Sequence, residues 1–256
     1  MTSTLYKNPT VKKVIFQIRF PNLFYLESKI PDIQCDILDK FPESALIFQQ
    51  AINLSVGNKD NINNNQLTTN EKSPFMIWQF KNNDGYILEI QNGSLTIISD
   101  LHKTYDNEGA QNKFRDVIEY VIQAFLKHIK LPFITRIGLR YIDEIPLPKK
   151  STNSYKRYFN TSLSFNRVNI DDLRESYAKI VKNIDNYTLV YQEYCKYYEN
   201  ETTEVKQPIV VLDFDAMAFK VQSTEYLNVT DKLHGIVSGE YEAIIKDKLR
   251  EVMNKS

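Results

Sequence analysis

One order of elements occurs twice along this chain: a strand, a helix, several strands and a long helix. The first round opens at Val11–Phe20, where Val14, Phe16, Ile18 and Phe20 alternate with Lys13, Ile15, Gln17 and Arg19. A period of two with one apolar set marks a strand with one buried face. A short helix is expected from Pro31, a residue suited to a first turn, with Ile33, Ile37 and Phe41 along one side. A strand over Ala45–Val56 follows, then the Asn-rich stretch Gly57–Ser73, which is too polar to offset its ordering entropy and reads as a mobile loop. Strands at Phe75–Lys81 and Tyr86–Gln91 flank Asp84-Gly85, a strong hairpin signal. Strand Ser94–Ser99 leads into a helix over Ala110–Lys130, apolar at Phe114, Val117, Ile118, Val121, Ile122 and Phe125.

The second round opens at Phe133–Ile145, with Ile137, Leu139 and Tyr141 on one face and Arg136, Gly138 and Arg140 on the other. A polar connection over Pro146–Asn169 precedes a helix with Leu173, Tyr177, Ile180 and Ile184 in line. Strands are expected at Tyr187–Tyr198, Pro208–Asp213 and Ala216–Ser223. A closing helix, Thr230–Met253, would be N-capped by Thr230, with Asp231 in its first turn facing the positive end of the dipole. The opening strands match in letters, Ile18-Arg19-Phe20 against Leu139-Arg140-Tyr141. The fold expected is therefore α+β: a tandem-duplicated unit, residues 1–131 and 132–256, forming one compact body. Its antiparallel sheet carries the long helices on one face, an arrangement similar to TATA-binding-protein-type saddles or helix-grip folds.

With 32 basic and 32 acidic residues the chain lacks the broad basic field that non-specific nucleic-acid or acidic-membrane binding uses. No apolar run is long enough to cross a bilayer, and no signal peptide is expected, so the chain reads as cytoplasmic. Cys35 and Cys195 fit no metal spacing and read as reduced thiols. Through only seven glycines no dinucleotide-binding or phosphate-loop motif can be drawn, and Gly235–Gly239 is not a nucleophile elbow. No cofactor is expected.

Three segments resemble a known family: Tyr6-Lys-Asn-Pro9 with Val14–Phe20, the strand Arg136–Ile145, and a tail with Leu233-His234, Tyr241-Glu242, Leu249-Arg250 and Met253. The family is the sporadically distributed group of bacterial and archaeal proteins of about this length. The chain departs from its pattern at Asp143, where asparagine is usual, and at Lys12-Lys13, where an acidic residue is usual. The resemblance covers both ends and the middle, with motifs structural in character. Patchy distribution implies a horizontally exchanged gene, such as a phage-defence or toxin-associated module.

Asp213 and Asp215 lie two apart on a strand and so share a face, the same helix-free face that carries Arg19, Arg136 and Arg140. Three readings fit: arginine–carboxylate pairing across strands, a ligand- or partner-binding cluster, or a divalent-metal site for phosphodiester hydrolysis. The last lacks a recognisable third acid and lysine, so no metal ligand is assigned. His128 reads as a helix C-terminal cap, while His102 and His234 have no identifiable nucleophile beside them. Cys35 beside Asp36 is a poor nucleophile. Gly235 and Gly239, one turn apart, suggest close approach of the last helix to the sheet. Tyr187, Tyr191, Tyr194, Tyr197 and Tyr198 suit sheet packing or a protein partner better than base stacking. The function expected is a non-catalytic binding or assembly subunit with a protein partner, a homodimer being allowed for. The alternative is a nucleotide or nucleic-acid binder or processor using the Arg/Asp cluster.

Overall fold

The computed structural model describes residues 6–49, 75–147, 152–160, 162–163, 174–199 and 206–254. The Asn-rich stretch and the second half of the strand expected over Ala45–Val56 lie outside them. Among the described residues nine strands form one antiparallel sheet: β1 (Val11–Arg19), β2 (Glu43–Gln49), β3 (Phe75–Lys81), β4 (Tyr86–Gln91), β5 (Ser94–Ser99), β6 (Ile134–Pro146), β7 (Glu175–Ile184), β8 (Tyr187–Glu199) and β9 (Lys206–Val221). Their spatial order is β2-β3-β4-β5-β1-β6-β9-β8-β7. The strands that open each half are thus neighbours at the middle of the sheet, and each half continues outward from them. Phe16 faces Ile97 across β1 and β5, and Ile137 faces Ala218 across β6 and β9, each residue 121 positions after its counterpart.

Helices cover one face: α1 (Leu26–Ile37), α2 (Phe114–His128), α3 (Thr152–Tyr158), α4 (Tyr226–Ile244) and α5 (Asp247–Asn254). Alternation decides which face they cover. Val14, Phe16 and Ile18 are fully buried beneath the helices, while Arg19 on the other face is exposed. Each such buried side chain contributes about 1.5–3 kcal/mol by leaving water. Phe125 of α2 meets Phe20 at 5.3 Å, and Tyr241 of α4 meets Phe214 of β9 at 6.2 Å. The two long helices therefore lie on the same side, over the two halves of one core.

Several elements differ from expectation for identifiable reasons. The helix expected around Leu173–Ile184 is the edge strand β7, whose alternate residues are half-buried. Part of the expected polar connection forms α3, anchored by fully buried Tyr155 and Phe159. The two strands expected over Pro208–Ser223 are one long strand. The closing helix breaks at Ile245, because residues 244–246 pair instead with the segment after α3: Asn160 N–H bonds to Ile244 C=O at 2.7 Å and Lys246 N–H to Tyr158 C=O at 2.9 Å. Thr230 does not cap α4. It lies inside the helix, fully buried, its hydroxyl donating to the Tyr226 carbonyl at 2.7 Å. Helix α1 begins earlier than expected and includes Pro31.

Candidate functional site

The two faces of β6 build two different sites. On the helix-free face Arg140 stands opposite Asp215 in the ladder, but its guanidinium reaches diagonally to Asp213, donating at 2.8 and 2.6 Å. Arg136 holds both oxygens of Asp215 at 3.0 and 2.9 Å. The two aspartates are thus held in two separate pairs. Arg19 is exposed and donates to Gln17 Oε1 at 2.9 Å rather than to a carboxylate. Gln17 links it to Arg136, and Gln192 links Asp213 to the hydroxyls of Tyr177 and Tyr194. Gly138 makes room: a Cβ there would fall 2.6 Å from Arg136 Nη1, so the guanidinium lies over the glycine. Burial pushes the Asp215 carboxyl up against the pull of Arg136 and Arg140, while the hydrogen bond to Asp213 pushes the Arg140 guanidinium up. Each carboxylate is matched by a guanidinium. Among the described residues no group of three His, Cys, Asp or Glu side chains could hold a metal ion.

On the other face Tyr141 and Asp143 point toward α4 and line a cavity of about 130 Å³. Its walls come from four stretches distant in sequence: Tyr6–Val11 before and into β1, the loop after β5 with His102 and Tyr105, strand β6, and α4 with His234, Ser238 and Tyr241. A β-bulge helps open it. Val11 pairs with Asp143 and Lys13 with Ile142, leaving Lys12 as the extra residue that turns β1 aside beside Asp143. Thr10 Oγ1 donates to Asp143 Oδ1 at 2.7 Å and lies 2.8 Å from the Tyr241 hydroxyl. His234 stacks on Tyr105 with centroids 4.0 Å apart, and His102 meets Tyr141 edge-on at 5.5 Å. Tyr105 is fixed by Asp231, at 2.6 Å, which Arg115 also grips through two bonds.

The electrostatics follow chiefly from burial. Asp143 is pushed up to about 7, burial outweighing the hydrogen bond from Thr10. His102 is pushed down to about 4 by burial and by neighbouring His234. His234 is also pushed down to about 4 by burial, against the opposing pull of Asp231 and Asp106. Both imidazoles are therefore neutral at pH 7. His102 Nδ1 and the Tyr141 hydroxyl, sealed atoms of two residues that line the cavity, have no hydrogen-bond partner among the described residues. Ser238 stands one turn from His234 with no hydrogen bond between them, so no activated nucleophile is assembled there.

Strand alternation puts the first group of residues on one face and does not assemble the second. In the sequence His102 and His234 have no nucleophile beside them, and Asp143 differs from the resembled pattern only as a single letter. A signal was present: Asp143 is the one carboxylate in the otherwise apolar series Ile137, Leu139, Tyr141 and Ile145. Tyr6, Pro9, Tyr141, Asp143, His234 and Tyr241, from both ends and the middle of the chain, all line the cavity. His128, expected as a cap, lies 2.7 Å from Asp36 and with Lys127 ties α2 to α1. Gly235 and Gly239 are exposed, and a Cβ on either meets nothing within 4 Å, so close helix–sheet approach does not explain them. Cys35 is exposed and Cys195 buried. No helix among the described residues is long and apolar enough to cross a membrane. No family model matches the chain, and no curated protein matches it.

Proposed function

We propose that this protein is a non-catalytic binding subunit that takes a small molecule into the cavity between β6 and α4. One observation carries the reading: four stretches distant in sequence converge on a cavity into whose wall the buried carboxyl of Asp143 is set, with no lysine or arginine among the described residues paired to it. A buried charge without an opposite charge is costly. A ligand that partners it offsets that cost, and clefts with few convergent polar groups are the usual small-molecule sites.

The alternative, nucleotide or nucleic acid on Arg19, Arg136, Arg140, Asp213 and Asp215, has weaker support because two of the three arginines are already neutralised by the aspartates. The common 121-residue offset of β1/β5 and β6/β9 supports an internal duplication, and the central β1–β6 pair supports a saddle-like fold over a helix-grip one. Exposed Leu46 and Phe48 on edge strand β2 support a protein partner or a second copy. Accessory service in a phage-defence or toxin-associated system is supported by the patchy distribution of the resembled family.

The binding reading is tested by denaturing the natively purified protein and identifying released small molecules by mass spectrometry. Ser238→Phe, which fills the cavity, should come away empty. Recovery of the same molecules from Ser238→Phe, or of none from the native protein together with no thermal response to small-molecule panels, contradicts the reading.

A further inference from the structure

Resting on the cavity as the binding site, we infer that its ligand presents a primary ammonium group, held by Asp143 within aromatic walls. Three features point the same way. Asp143 is 5 % exposed, and no lysine or arginine among the described residues pairs with it. Buried carboxylates are ordinarily matched by a cation, and its side-chain partner among the described residues is the neutral Thr10 hydroxyl. Three arginines are committed elsewhere: Arg115 to Asp231, Arg250 to Glu242, and Arg140 to Asp213 on the far side of the sheet.

The polar groups at the cavity suit an ammonium. Asp143 supplies an anionic acceptor, and the hydroxyls of Thr10 and Tyr241, 2.8 Å apart and joined to it through Thr10, supply neutral oxygens that can accept as well as donate. A carboxylate or phosphate ligand would instead be repelled by Asp143, the one cation lining the cavity among the described residues being the exposed Lys103. The walls are π faces and edges from Tyr105, Tyr141, Tyr241 and the two imidazoles, which attract a cation. A cavity of about 130 Å³ is slightly smaller than one of about 150 Å³ that admits benzene, so the ligand is small, with a chain of a few carbons.

The test uses the full chain and three isosteric probes at matched ionic strength: n-butylammonium chloride, n-butanol and sodium butyrate. Calorimetric titration near pH 7 should show butylammonium binding and neither of the others. Asp143 gives up its proton as the ammonium docks, so repetition in buffers of different ionisation enthalpy should reveal proton release to the solvent. In Asp143→Asn the affinity should fall about tenfold or more, because a charge-assisted bond becomes a neutral one, and proton release should vanish while the protein still melts cooperatively. Butanol or butyrate binding as tightly as butylammonium overturns the ammonium inference and leaves the cavity reading standing. Binding of none of the three, with Ser238→Phe and wild type also releasing the same molecules on denaturation, overturns both. Butylammonium binding unchanged in Asp143→Asn overturns the assignment to Asp143.

Discussion

The helix-free and helix-covered faces of β6 carry similar chemistry to opposite ends. On one, Asp213 and Asp215 each receive two guanidinium hydrogen bonds, so charge is cancelled within the fold. On the other, Asp143 is buried with a hydroxyl for company, and two polar atoms of cavity-lining residues have no partner among the described residues. The same strand thus holds a closed ion network and an incomplete one, seven residues apart at most. A network that satisfies itself is a structural device; one that does not is where an outside molecule gains most by arriving.

The sharpest way to break this comparison is through pH. Asp143 binds its proton more tightly in the fold, at about 7 against 3.8 unfolded, so this contribution is full below about pH 4 and is lost as pH rises through 7. Asp143→Asn should therefore be more stable than wild type at pH 8 by on the order of 3 kcal/mol, and not at pH 4. His102 and His234 act in the opposite sense: their buried neutral forms contribute stability above pH 6.5 that is lost as pH falls toward 4. Denaturant melts of both proteins across this range separate the effects, since the mutant lacks only the first. Equal stability of the two at pH 8 would mean that Asp143 is not a buried, unpaired carboxyl.

The closed network makes the next largest forecast. Arg140→Ala strands Asp213, which is 4 % exposed, and should cost about 2 kcal/mol in chemical unfolding. Asp213→Asn in that background should restore about half, because both halves of the pair are then gone. Simple additivity of the two changes would deny the pairing.

Much of this was legible because a strand writes its faces in alternate letters. That rule placed Arg19, Arg136, Arg140, Asp213 and Asp215 on the helix-free side before any partner was known. It failed at β7, where Tyr177, Ile180 and Ile184 happen to recur at helical spacing although the segment is a half-buried edge strand. The exact partners were not legible either, because Arg140 reaches across the ladder diagonally to Asp213 and Gly138 clears the way for Arg136. The cavity was hidden for a deeper reason. Thr10, His102, Asp143 and Tyr241 converge only through the sheet order and the docking of α4, and no local spacing encodes that.

Glycines sharpen the same contrast at smaller scale. Gly138→Ala should displace Arg136 from Asp215 and destabilise by about 1 kcal/mol, since a Cβ overlaps its guanidinium. Gly235→Ala and Gly239→Ala, on an exposed helix surface with open space, should each stabilise by roughly 0.5–1 kcal/mol. Thermal melts of the three single variants give the signs directly. A gain at Gly138 would show that Arg136 need not lie over it.

One measurement sets the two faces against each other in a single sample: nitrogen-detected NMR of histidine and arginine side chains during titration with n-butylammonium chloride. The account predicts that the His102 Nδ1 resonance moves with saturation while the Nε resonances of Arg136 and Arg140 stay in place. Movement of the arginine signals with His102 unchanged would contradict it, making the helix-free face the site of binding and the cavity a feature of packing alone.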